Sequence, residues 1–500
     1  MKKIQSKKGS LCHTRKISHS RINTRKEPMK YLRKPNFVII KSLKIEKEET
    51  IISKSISIVV LKFLGYFRSF LNMSYNFDKM GDLSYQQGNK FTPKELKDCP
   101  ECDKPRISFG WCMECETNAM KENFPHWTSG SKEIDELIRY TQLNATQACD
   151  YLEWIPFEKF EMVKYIGKGG FSSVYSALWM EGPRWIWDDG AQEWTRAGPM
   201  NVALKRLDNS QNISSSYINQ IKVYHKCLQS ASLAGTFGIT KDPTSSYMIV
   251  MKYYENGNLY QYLDHCNGIL SWRDMIDMLW GIAGGLERIH SERKVHGNLH
   301  GGNLLIEDEK VSTDSRIGDV GLHGPCNYDG SRSQIYGILP YIAPEVLRGE
   351  NYSTASDIYS FGIVMNVLAT GKRPWYNRAH DINLAKDICD GKRLEIPEDT
   401  PNFYAELMQQ CWDNDPEKRP TASYLNEKLG EWIILICDDP NPSQISDENS
   451  IAEEKRWKMI SKLNNRLTHP EIHPEAYYTS RPLYFPELLN VKCYSNYTMR

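Results

Sequence analysis

The chain has 500 residues, a formal net charge of +1 and 40% apolar residues, too long for one ordinary core and too polar to be globular throughout. Residues 1–72 carry 18 Lys and Arg against 4 Glu and no Asp, which leaves 45 basic and 58 acidic residues, a balance of −13, for 73–500. A mildly acidic body argues against a nucleic-acid-binding role, and thirteen cysteines without a paired framework argue against a disulfide scaffold and for a reducing, cytoplasmic setting.

Residues 1–72 read as a basic, disordered extension, with an interfacial helix or a basic arm as alternatives. Their one apolar run, Ser55–Leu71, is interrupted by Lys62 and Arg68. It falls short of the ~20 residues that cross a bilayer and lies too far from Met1 for a signal peptide, so no membrane span is expected. Translation could even begin at Met73.

Next comes a small module over 95–120, built on CPECDKPRISFGWCMEC with the spacing C-x2-C-x9-C-x2-C. Cys99, Cys102, Cys112 and Cys115 can offer four soft thiolates from two tight turns, the set a structural Zn²⁺ prefers. So short a segment could hardly fold without a metal. Four reduced surface cysteines or a redox pair are the alternatives. Residues 129–155 form a linker whose Ser129–Gln142 stretch predicts a helix, capped by Ser129 or Ser131 and striped by Ile134, Leu137 and Ile138.

From 156 to 435 the texture is β-rich and then helical. Tyr165–Trp179 alternates, turns at Gly167, Gly169 and Gly170, and alternates again. Glycines let backbone amides approach phosphate oxygens. Met180–Met200 reads as a surface insertion with exposed tryptophans, either a solvent excursion or a partner contact. Asn201–Leu207 reads as a strand carrying Lys205, a cation that needs an anion if it faces inward. VHGNLHGGNLL (Val295–Leu305) and RIGDVGLHGP then bring Asn303 and Asp319, an amide oxygen and a carboxylate of the kind Mg²⁺ accepts beside phosphates. YGILPYIAPEVL, SDIYSFGIV and CWDNDPEKRPTA follow. Residues 436–500 read as a linker (Asp438–Ser450), a short amphipathic helix (Ile451–Leu463, with Ile451, Trp457, Ile460 and Leu463 on one face) and an extended Tyr/Pro-rich tail. Its tyrosines either serve as docking or modification points or pack on the domain.

In number, order and spacing these motifs make the segment from about Pro156 to Trp432 resemble a eukaryotic protein kinase domain of the tyrosine-kinase-like group. The whole arrangement is similar to a large family of fungal kinase-like proteins with an N-terminal CxxC–CxxC module. The resemblance implies an α+β, two-lobed kinase fold: an antiparallel sheet plus one helix in the N-lobe, a mainly helical C-lobe, and ATP between them. It implies ATP-binding roles for Gly167, Gly169, Gly170, Val174, Ala203, Lys205, Met251 and Tyr253, with Met251 as the gate behind the adenine. It implies Asn303 and Asp319 as Mg²⁺ ligands, Glu345 and Arg419 as a buried ion pair, and Asp357 as the anchor of the central helix.

The departures from that pattern point away from ordinary catalysis. The loop reads His296-Gly297-Asn298-Leu299-His300-Gly301-Gly302-Asn303, so the base Asp is Asn298, the Arg is Gly297 and the Lys is His300. A positioned base is worth about 10²–10⁴ in rate. The helix that should pair Lys205 has Gln220 in the carboxylate position, and no Asp or Glu occurs from Asn209 to Lys241. The expectation is a pseudokinase that holds ATP and Mg²⁺ and serves an unidentified protein partner as a switch or scaffold. An active protein kinase and an interaction module that takes no nucleotide are the alternatives.

Overall fold

A computed structural model describes residues 98–107, 111–147, 150–188, 191, 193–225, 227, 232–308, 313–322, 335–437, 443–462 and 471–489. The expectations for residues 1–72 lie outside them, as does the side chain of Gln220.

The cysteine turns lead into α1 (Met113–Asn123), followed by α2 (Lys132–Leu143). Ser131 caps α2 by accepting the Ile134 N–H at 3.4 Å, and Glu133 and Asp135 complement the dipole of its first turn. The predicted stripe is its buried face: Ile134, Leu137 and Ile138 are at most 1% exposed.

Eight strands and one helix follow in order in the upper lobe: β1 (Glu153–Trp154), β2 (Phe160–Lys168), β3 (Ser172–Trp179), β4 (Arg184–Asp188), β5 (Glu193–Arg196), β6 (Met200–Leu207), α3 (Ser215–Tyr224), β7 (Thr236–Lys241) and β8 (Tyr247–Lys252); β9 (Leu304–Asp308) comes later, in the lower lobe. The upper sheet runs β1-β7-β8-β6-β3-β2. It is antiparallel except at its edge, where the linker strand β1 pairs parallel with β7. One core joins α2, α3, β7 and β8 through Leu137, Ile138, Tyr217, Ile218, Ile221, Ile239 and Ile249. Each fully buried apolar side chain of this kind contributes about 1.5–3 kcal/mol.

The lower lobe is helical: α4 (Leu259–His265) and α5 (Trp272–Ser291) precede β9, which pairs with β10 (Thr313–Ile317). After β11 (Ile335–Gly337) come α6 (Pro344–Leu347), α7 (Thr354–Thr370), α8 (Ile382–Cys389), α9 (Asn402–Cys411), α10 (Ala422–Cys437) and α11 (Gln444–Lys462). α7 is buried on every face from Ser356 to Ala369, which suits a helix apolar all round. Arg419 grips Glu345 through two buried hydrogen bonds of 2.7 and 2.8 Å, the ion pair the sequence suggests. No helix among the described residues is long and apolar enough to cross a membrane.

Three expectations change. Met180–Met200 is not a free excursion: β4 and β5 form a hairpin whose Trp194 meets Trp111 of the cysteine module (centroids 6.0 Å apart). Glu116 on α1 accepts hydrogen bonds from Arg184 (2.9 Å) and the Trp194 indole (2.6 Å). Residues 444–450 are not linker but the first turns of α11, because Ser443 and Ser446 cap one another. The face predicted from Ile451 and Trp457 points outward, at 67% and 40% exposed. α11 is instead held by a buried cation. Arg456 bonds the carbonyls of Leu270 (2.7 Å) and Ala369 (3.0 Å), pairs with Asp399 (3.0 Å) and lies 5.3 Å from the Trp272 ring centroid.

Candidate functional site

The cleft is assembled by strand register. β3 and β6 set Val174 opposite Lys205, and β6 and β8 set Ala203 opposite Met251, with Tyr253 immediately beyond the strand end. The glycine turn closes β2 onto β3, with Gly167 opposite Val174 and the Gly169 N–H bonded to the Ser172 carbonyl at 2.7 Å. Met251 is buried and lines an apolar cavity with Ile221, Ile249, Ile317 and Leu322 that reaches Asp319.

Lys205 finds its anion in Asp319, by a direct hydrogen bond. Burial pushes the Asp319 carboxyl up, but the Lys205 ammonium outweighs burial and holds the group below the usual range. Asp319 itself is left-handed, φ +59°. Next to it Gly321, φ +75°, lies under Tyr224 of α3, where an added Cβ would come within 2.8 Å of the ring. The Tyr224 hydroxyl donates to the Val295 carbonyl at 2.7 Å, which ties α3 to the loop below.

That loop hangs from α7. Asp357 accepts the N–H groups of His296 (2.7 Å) and Gly297 (2.8 Å) and meets His290 Nε2 at 2.9 Å. Gly297 has φ +68°, a conformation that suits glycine and would strain the arginine the family pattern places there. Asn303 Nδ2 donates to the Asn298 carbonyl at 2.9 Å, a bond that does not use its amide oxygen, and the Gly318 N–H returns to the Asn303 carbonyl at 2.8 Å. Asn298, Asn303, Asp319 and Lys205 therefore stand in one cleft.

The sequence reading missed what meets Asn298. Ser480, in the tail, donates its hydroxyl to Asn298 Oδ1 at 3.0 Å. His300 Nε2 lies 3.0 Å from the same hydroxyl. Because the Gly302 N–H bonds His300 Nδ1 (3.0 Å), Nε2 carries the hydrogen and donates. Burial pushes the His300 ring down to about 3, so it is neutral. The tail then adds β12 (Arg481–Leu483), antiparallel to β11. No short motif links positions 298 and 480; the only sequence signals were an uncommon histidine at 300 and an extended tail.

Away from the cleft, the Sγ atoms of Cys99, Cys102, Cys112 and Cys115 all lie within 4.8 Å of one another. Two pairs are 3.6 Å apart and all four thiols are free. A tetrahedron with ~2.3 Å metal–sulfur bonds has edges of ~3.8 Å, so the cluster has the dimensions of a four-thiolate site.

Residues 160–429, more than half of the chain, match the family described as protein tyrosine and serine/threonine kinase. Similar proteins include a probable serine/threonine-protein kinase of Dictyostelium discoideum, 28% identical over 54% of this chain and 16% of its own length. Tyrosine-protein kinase SPK-1 of Girardia tigrina is 27% identical over 56% of this chain and 54% of its own. The chain thus spans a sixth to about half of the length of these relatives.

Proposed function

We propose a function from one premise: the chain belongs to the protein tyrosine and serine/threonine kinase family. On that premise the domain is a pseudokinase that retains ATP and Mg²⁺ while transferring phosphate slowly or not at all, and acts as a nucleotide-responsive switch or scaffold. Gly167, Gly169 and Gly170 would cover the phosphates and Lys205 would meet them, its ammonium already set against an anion. Val174, Ala203, Met251 and Tyr253 would line the adenine site. Asp319 and the amide oxygen of Asn303 fit Mg²⁺, which supplies charge neutralisation on phosphate oxygens when bound. The cysteine cluster fits a structural Zn²⁺, with four thiolates and no open position for chemistry.

One observation carries the reading. The Ser480 hydroxyl touches Asn298 and His300, and neither can take its proton. An amide is no base, and His300 already bears hydrogen on the facing nitrogen. The retained Lys205, Asn303 and Asp319 support the second reading, an active kinase in which Asn298 only orients the hydroxyl. The test is titration of the full chain with ATP, with and without Mg²⁺, beside transfer from γ-labelled ATP, with Asp319→Asn as control. Mg²⁺-dependent binding with transfer far below ~1 s⁻¹ supports the pseudokinase; turnover in the ordinary range of ~1–100 s⁻¹ overturns it.

A further inference from the structure

The tail is held along the cleft by contacts with both lobes. Ser480 is 9% exposed. Its hydroxyl is fixed by Asn298 and His300, and its carbonyl rests on the glycine turn, where a Cβ added to Gly170 would come within 2.0 Å of that oxygen. Beyond it, β12 pairs with β11 in the register Gly337↔Arg481, Tyr336↔Pro482 and Ile335↔Leu483. Pro482 has no N–H to donate, which an edge strand tolerates.

Flanking side chains fix the direction. The Tyr478 hydroxyl donates to the Pro374 carbonyl at 2.8 Å, and its ring lies edge-on to His380 and Tyr260 (centroids 5.1 and 5.9 Å). Arg481 donates to the His380 carbonyl at 2.9 Å and lies 4.1 Å from the centroid of the Tyr477 ring. Leu483 and Leu488 are buried.

We propose that residues 471–489 are the resident ligand of the domain's acceptor groove, a pseudosubstrate whose Ser480 stands where a hydroxyl to be phosphorylated would stand. The assignment rests on the reading of Asn298 as the base position. The groove selects an extended peptide of the type Tyr-Thr-Ser-Arg-Pro-Leu. Its acceptor position holds a serine, whose carbonyl rests on Gly170 and whose hydroxyl meets Asn298. Transfer to Ser480 would form a P–Oγ bond, break the bridging P–O bond to the β-phosphate, and release ADP and one proton. Neither atom contacting Oγ accepts that proton, so the tail blocks the groove without being consumed. A partner that engages the groove must displace the tail and must present similar chemistry.

The test uses a fluorescent peptide of residues 473–489, titrated onto the full chain and onto full-length Arg481→Ala/Leu483→Asp. The variant should bind at least tenfold tighter, because its own tail no longer competes. Hydrogen exchange guards against misfolding: the variant should lose protection at Ile335–Gly337 while β6 and β8 keep theirs. Equal binding by both proteins overturns the proposal. A second arm holds the full chain with MgATP and maps phosphate by mass spectrometry. Phosphate on Ser480 makes the tail a substrate and overturns the pseudosubstrate assignment. Phosphate on other residues, with Ser480 unmodified and peptide competition intact, overturns the pseudokinase reading and leaves the resident-ligand proposal standing.

Discussion

On the wall of the cleft proposed to hold nucleotide, Lys205 and Asp319 form an ion pair. On the wall proposed to face an acceptor, Asn298, His300 and Ser480 form a chain of neutral hydrogen bonds. A triphosphate needs charge to hold it, and neutral partners cannot supply that. An acceptor hydroxyl needs a base only if it is to react; to be held in place it needs only donors and acceptors of the right spacing. The difference separates retention of a ligand from chemistry upon it, within one fold.

The strongest way to break this comparison is to return a charge to the neutral wall. Asn298→Asp places a carboxylate against the Ser480 hydroxyl, and transfer should rise by about 10²–10⁴, or ~3–5 kcal/mol off the barrier. The phosphate should appear on Ser480 by mass spectrometry, and no gain would mean that the missing base is not the defect. Removing charge from the other wall comes next. Asp319→Asn leaves Lys205 unpaired, and urea unfolding should show a loss of ~3 kcal/mol, the low end for a broken buried pair because both groups are partly exposed. Stabilisation by MgATP should vanish with it, while β11 stays protected from exchange.

A fall in pH should loosen the tail. His380 Nε2 faces the Trp375 carbonyl (3.3 Å), and Nδ1 lies beside both the carbonyl (3.1 Å) and the N–H (3.2 Å) of Tyr477. Burial, joined by the Arg481 charge, pushes the ring down to about 4. The released state binds the proton near 6.5 and the docked state does not. The contribution of neutral His380 to docking is therefore full above pH ~6.5 and is lost as pH falls toward ~4, by up to ~1.4 kcal/mol per pH unit. Exchange at Ile335–Gly337 followed across that window would show it, and flat protection would refute it. Ser480→Ala is the mildest probe: it removes one hydroxyl and should weaken docking by ~1 kcal/mol, about fivefold in peptide competition.

What the sequence made legible was local. The glycine turn, the strand bearing Lys205, the loop from His296 to Asn303 and the Ser131 cap each lie within one short run of residues, where spacing translates directly into geometry. The partner of Lys205 was not legible, because Asp319 lies 114 positions away and was read only as a metal ligand. Nor was the meeting of Ser480 with Asn298, 182 positions apart. α11 misled for a chemical reason. Its polar start looks like a loop until Ser443 caps it, and its inward face is set by an arginine with carbonyl, carboxylate and ring partners, which an apolar pattern does not register.

The packing of α2 on α3 bears on how the protein can be cut. The family match begins at Phe160 and ends at Leu429, yet Ile134, Leu137 and Ile138 cover α3 from before it, and Arg456 and Ser480 reach in from after it. A fragment trimmed to the matched residues would uncover an apolar helix face, leave Asp399 and the Trp272 ring without their cation, and open the groove. A piece that keeps these seams closed must reach at least from the cysteine turns through β12.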